Sequence, residues 1–233
     1  MSETSLAILI WTAISIGFIH TLIGPDHYVP FIAIGKARNW AASKTLAVTF
    51  ACGLGHVLSS VAIGVIGIAI GTALGDLEAI ESVRGDIASY ALIGFGTLYG
   101  IWGLYRAKKS LRHGHSHLPR GKHIDETNSK TVTFWALFIV FVLGPCEPLI
   151  PLLMFPALAG GSAGASPAVA NWGGVALVTA AFGIATIGTM CAIVYASSKG
   201  LSLVKTAAFE RYIHALAGGI IAVSGVTIRV FGV

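Results

Sequence analysis

Charge is the scarcest property of this chain. Asp, Glu, Lys and Arg make up 11% of its 233 residues, against 55% hydrophobic residues; an ordinary soluble domain carries roughly a quarter charged residues. So small a supply cannot wet the surface of a soluble globule, and so apolar a chain does not stay disordered. The formal charge of +5 is not a nucleic-acid footprint, because the basic residues are spread over separate connections rather than gathered in one patch. No nucleic-acid partner is expected. The strict two-residue alternation of a barrel strand is absent. So is a phosphate-cradling glycine loop, so no ATPase, and no enzyme of another kind, is expected on this chain. What remains is a helical integral membrane protein. At about 20 apolar residues per crossing, the length allows roughly six to eight spans and little else.

Six long apolar stretches lie at 5–35, 45–74, 87–105, 132–159, 170–197 and 207–232. Glycines recur inside them, as at Gly64, Gly67 and Gly71, or Gly94, Gly96, Gly100 and Gly103, and such small residues let helix backbones approach closely in lipid. Met1 to Thr4 carries no basic residue, so the first stretch is read as mature protein rather than as a signal peptide. Thirteen of the fifteen Lys and Arg fall in the first, third and fifth connections. The second connection holds Asp76, Glu78, Glu81 and Asp86 against Arg84, and residues 160–170 hold no charge. The positive-inside rule then places the odd connections in the cytosol and both termini outside. The expected location is the inner (plasma) membrane of a bacterium or archaeon, with the lipid bilayer as a partner and a homo-oligomer left open.

Eight of the ten acidic residues sit at the amino terminus, in connections or at span ends; Asp26 and Glu147 do not. A carboxylate at membrane depth is costly, about 2.5–3.5 kcal/mol at a helix centre, and is a functional hypothesis by default. The contexts of the two match: Gly24-Pro25-Asp26-His27-Tyr28-Val29-Pro30 in the first span, and Gly144-Pro145-Cys146-Glu147-Pro148-Leu149-Ile150-Pro151 in the fourth. The Gly-Pro pairs are 120 residues apart, and Tyr90, Gly96 and Gly103 align on Tyr212, Gly218 and Gly225 at an offset of 122. Three spans per half make the second half enter the membrane inverted, and Gly/Pro-interrupted spans at corresponding places point to a midplane site. The expected fold is therefore all-α, six transmembrane helices as a 3+3 inverted repeat with helices one and four broken. Residues 1–105 form the first repeat, 106–131 a cytosolic loop and 132–233 the second repeat.

Counted at 1.5 Å per residue from the cytosolic edge, His27 lies roughly 12 Å deep, His56 roughly 16 Å, and Cys146 and Glu147 roughly 20–25 Å. Cys52 and His56 are four apart and share a helical face; His20 and His27 are two turns apart. Together Asp26, His27, His56, Cys146 and Glu147, with His20 as a further candidate, describe a site for a divalent transition metal. Imidazole suits nickel, cobalt, zinc and copper, whereas magnesium and calcium want oxygen shells. Cys52 and Cys191 are read as core residues, and His214 as structural or at the cavity mouth. In the third connection, His113, His115, His117 and His123 form a second cluster, on the one segment polar and long enough for a disordered loop. A His-rich tract of this kind reads as metal capture.

The run from His20 to Asp26-His27, with His56 on the next span and a His-rich cytosolic loop, resembles the nickel/cobalt transporters and their urease-accessory UreH-like relatives. That family carries His-x-x-x-x-Asp-His on an early span; here five residues rather than four separate His20 from Asp26. The resemblance implies metal ligands at Asp26 and His27, and a nickel or cobalt cargo. The segment around Cys146 also resembles the proline-framed cysteine segment of cytochrome-c-biogenesis electron conduits, in the same wider superfamily. Those proteins need one cysteine in each half, and the first-half counterpart here is Asp26-His27.

The leading expectation is thus transport of a divalent transition metal by alternating access, the metal being cargo rather than cofactor. Two alternatives stand beside it. One is a thiol–disulfide electron conduit using Cys146 with Cys52 or Cys191. The other is a small-anion exporter, which would need a basic residue near mid-span, where the sequence reading finds none.

Overall fold

The computed structural model describes residues 3–70, 74–112, 124–158, 171–202 and 211–231. Among them the chain is helical throughout: α1 (Glu3–Ile23), a 3₁₀ turn (Pro25–His27), α2 (Val29–Ala37), α3 (Ala42–Ile70), α4 (Leu74–Arg112), α5 (Ile124–Leu143), α6 (Leu149–Leu158), α7 (Trp172–Ser202) and α8 (Ile213–Phe231). Five helices are long and apolar enough to cross a membrane: Glu3–Ile23, Ala42–Ile70, Leu74–Lys109, Trp172–Gly200 and Ile213–Val230. Their outward faces carry Trp11, Ile70, Leu98 and Ile184, each about two-thirds exposed or more. A water-soluble protein buries such side chains, and a lipid-facing one displays them.

The interior is mainly aliphatic, with a few phenylalanines among the branched side chains. One core gathers Phe31, Ile34, Leu137, Phe141, Met190 and Ile221; another gathers Ala13, Val57, Leu149, Leu153, Val178 and Phe182. The most extensive helix pair is α4 with α8. It runs antiparallel, with Asp86 bonded to Arg229 at one end and the Ala107 carbonyl accepting from Arg211 at the other. Glycines set its closeness. A methyl group on Gly96 would meet the Gly218 carbonyl oxygen at 2.7 Å, and one on Gly225 would meet that of Ser89 at 2.9 Å. Around this pair, α1 and α3 pack on α7, α5 packs on α3, and the short helices α2 and α6 pack against α8 and α7.

Two expectations are corrected. The third apolar stretch does not begin near residue 87; α4 starts at Leu74, and Asp76, Glu78, Glu81, Arg84 and Asp86 are helical rather than a connection. Glu81 is completely buried, whereas Asp26 is half-buried and Glu147 exposed, so the most interior of the three carboxylates is one the sequence reading placed in a connection. The reason is compensation: Glu81 is paired with Arg84 one turn later, and a neutralised pair extends an apolar helix that either charge alone would end. The expected loop at 106–131 is also shorter, because α4 continues to Arg112 and α5 begins at Ile124. His113, His115, His117 and His123 lie outside the described residues.

Candidate metal centre

Both Gly-Pro pairs interrupt a helix, and proline chemistry accounts for each interruption. A proline has no N–H to give to the carbonyl four residues earlier. Pro25 therefore ends α1, and the chain makes one 3₁₀ turn, Pro25-Asp26-His27, before α2. Pro145 and Pro148 act in the same way between α5 and α6, and deprive the Phe141 and Gly144 carbonyls of their helical partners. Where those released groups go decides the geometry of the site.

At the first break they stay local. Gly24 accepts the backbone N–H of His27 at 3.2 Å, and the Tyr28 hydroxyl donates to the Leu22 carbonyl at 3.3 Å. The His27 ring closes on the same turn, its Nδ1 lying 3.0 Å from Asp26 Oδ1 and 3.2 Å from the Gly24 carbonyl oxygen. Both partners are acceptors, so Nδ1 carries the proton and Nε2 is left as a lone-pair donor. Gly24 admits no side chain, since a Cβ there would lie 2.6 Å from His27 Nδ1.

At the second break the released carbonyl reaches across the molecule. Phe141, which keeps a short bond from the Gly144 N–H, also accepts from His56 Nδ1 at 3.2 Å. This contact fixes the His56 tautomer as it does for His27, and again leaves Nε2 free. Gly144 packs directly beneath the ring, where a Cβ would sit 3.2 Å from His56 Nδ1.

The three rings converge. His20 and His27 are 4.7 Å apart between centroids, and His27 and His56 are 5.1 Å apart, each pair edge to face. Each of the three offers a ligand nitrogen within 4.8 Å of the other two. The Nε2 atoms of His20, His27 and His56 are all buried with no hydrogen-bond partner. A buried polar atom without a partner is costly and needs a reason, and three of them on rings that cluster this closely could find one in a shared ion. Bonds of 2.0–2.1 Å in a tetrahedral shell would bring the nitrogens to about 3.4 Å apart, so a contraction of the triad would supply three ligands and leave the fourth position open. The helix is broken between His20 and His27, as the Gly-Pro pair led us to expect, and the 3₁₀ turn still brings the two rings together.

The histidines lie in a cavity of about 340 Å³, also lined by Asp26, Glu147, Ser82 and Ser89 and bounded by Asp86 and Arg229. Asp26 sits on the far side of the His27 ring from Nε2, as the carboxylate of a carboxylate–histidine–metal arrangement would. Glu147 lines the cavity. Cys146 does not: it is fully buried in the core cluster with Ala13, Val57, Leu149 and Phe182. Cys52 is buried in the other cluster. His214 shares a 2.7 Å hydrogen bond with the Tyr99 hydroxyl and stacks edge-on against Trp102, away from the cavity lining.

The sequence reading missed the groups that hold the second break. Arg84 donates to the Val142 carbonyl at 2.6 Å, to the Gly144 carbonyl at 3.2 Å and to Ser59 Oγ at 2.7 Å. Glu81, bonded to Arg84, accepts the Cys146 backbone N–H and the Ser60 hydroxyl, each at 2.9 Å. An i, i+3 acid–arginine pair just ahead of an apolar run was the available signal. Arg84 lies ten residues into the long helix α4, not at its middle, and its charge is matched by Glu81.

The chain matches no family model, no curated protein and no solved structure.

Proposed function

We propose that this protein carries a divalent transition-metal cation, nickel or cobalt in character, across a membrane through the His20–His27–His56 centre. The observation that supports this most strongly is the set of three buried Nε2 atoms without partners, two of them on rings whose Nδ1 is tied to an acceptor. A structural histidine satisfies both nitrogens; a ligand histidine holds one back. An all-nitrogen triad with a carboxylate behind it favours nickel, cobalt, zinc or copper over magnesium or calcium, and Glu147 on the cavity wall offers a further charge to a divalent cargo.

The architecture of this reading is six spans in two inverted halves, α1 to α4 and α5 to α8, with the first span of each half broken. In its support, α1 packs on α7 as α5 packs on α3, and α2 and α6 each contact the long helices of both halves. With the basic connections in the cytosol, Asp86 and Arg229 bound the cavity at its outer end, and His113, His115, His117 and His123 would meet the metal on the cytosolic side. Irregular backbone lining a cavity is what alternating-access carriers place at mid-membrane.

The test is uptake of radioactive nickel and cobalt into proteoliposomes by the wild type and by His20→Ala, His27→Ala and His56→Ala. Each substitution should abolish saturable transport while the protein stays monodisperse in detergent. Unchanged rates in His27→Ala would exclude the proposal.

A further inference from the structure

Glu81 and Arg84 belong to neither the cavity lining nor the histidine triad, yet they make the densest polar network among the described residues. Every partner they have lies at or beside the second break. The carbonyls of Val142 and Gly144, the N–H of Cys146, and Ser59 and Ser60 one turn beyond His56 on α3 all converge on this one pair. In a continuous helix the Cys146 N–H would bond the Val142 carbonyl, and residue 148 would bond Gly144. Instead Glu81 takes the N–H, Arg84 takes both carbonyls, and Pro148 removes the remaining donor. The pair thus takes both groups of the one bond named here that could still form, Cys146 N–H to the Val142 carbonyl, and satisfies the Gly144 carbonyl that Pro148 leaves without a donor. Phe141, whose carbonyl selects the His56 tautomer at 3.2 Å, is the residue immediately before that segment.

We propose that Glu81 and Arg84 are positioning residues of the histidine centre. From α4 they hold the α5–α6 break open, and so keep the Phe141 carbonyl on His56 Nδ1 and His56 Nε2 aimed at His20 and His27. The guanidinium is suited to this because its planar fork presents several donors at fixed angles, which an ammonium cannot. Glu81 keeps that cation neutralised at a depth where it could not otherwise remain. The consequence for metal affinity rests on the function proposed above; the consequence for the His56 tautomer does not.

Two readouts on the purified full-length protein separate these. Nitrogen-15 NMR of histidine-labelled protein without metal should show His56 protonated at Nδ1 in the wild type. In Arg84→Gln and Glu81→Gln it should show a mixture of tautomers. Titration with Co(II), followed by its visible absorption, should give roughly 10- to 100-fold weaker binding in the same variants, the range expected when a supporting partner of a ligand is lost. Arg84→Lys keeps the charge balance, so it is the variant to use if the glutamine substitutions do not fold; it should lie between them and the wild type in both readouts. If the wild type shows the Nδ1 tautomer but binds no Co(II), the metal reading fails and the positioning role is judged on the tautomer alone. An unchanged His56 tautomer in Arg84→Lys and in every folded glutamine variant would overturn the proposal, whatever the affinity.

Discussion

The breaks at Gly24-Pro25 and Gly144-Pro145 interrupt helices at matching points of the sequence, but the polar groups they release go to different places. At the first, the freed carbonyls are met within seven residues, by His27 and Tyr28, and the turn's own side chains face the cavity. At the second, they are met from other helices, by His56 of α3 and Arg84 of α4, and the cysteine of the turn is buried in an apolar core. The first break supplies chemistry from its side chains. The second supplies a backbone acceptor and a place for a distant clamp to hold. Similar interruptions have been put to dissimilar uses, and the surrounding helices decided which.

Substitutions can break that comparison at known points. The largest effect belongs to the first break: His27→Ala removes a ligand atom and should lower Co(II) affinity by more than about 100-fold, beyond the usual effect of losing an outer partner. Next, Asp26→Asn keeps the size of the side chain but weakens the acceptor behind His27, and should cost about 10- to 100-fold in a Co(II) titration. The second break responds more gently. In Pro145→Ala a restored N–H competes with His56 for the Phe141 carbonyl, a bond worth about 1 kcal/mol, so affinity should fall roughly fivefold. Smallest of all, Cys146→Ala should leave Co(II) affinity within about twofold and show its effect only in thermal unfolding, by about 1 kcal/mol. A Cys146→Ala variant as impaired as His27→Ala would mean that the two breaks share one function after all.

Much of this was legible in the residues. Proline and glycine announce a break by local covalent chemistry, so both interruptions could be placed from the sequence. Histidines at membrane depth are too costly to be incidental, and His20, His27 and His56 do converge. Cys146 and Glu147 were harder, because adjacent residues in an irregular turn point in directions that no helical period fixes; one lines the cavity and its neighbour lies in the core. Glu81 was misplaced for a related reason. Its charge looks like a water-facing connection until it is set beside Arg84, and only the packing of α3 and the second break around the pair shows why both can be buried. The tautomer contact of His56 spans 85 residues, a separation over which sequence carries no local signal.

Where Gly96 meets Gly218, α4 and α8 touch backbone to backbone with no side chain between them. Flexible side chains let packed helices slide a little, each rotamer absorbing part of the displacement. A seam of carbonyl against Cα has nothing to absorb it, so sliding by even a fraction of a turn would drive main chain into main chain. Whatever movement this molecule makes must therefore pivot about that seam rather than shear along it. The seam would serve as an axle, and the moving parts would be the helices on either side of it.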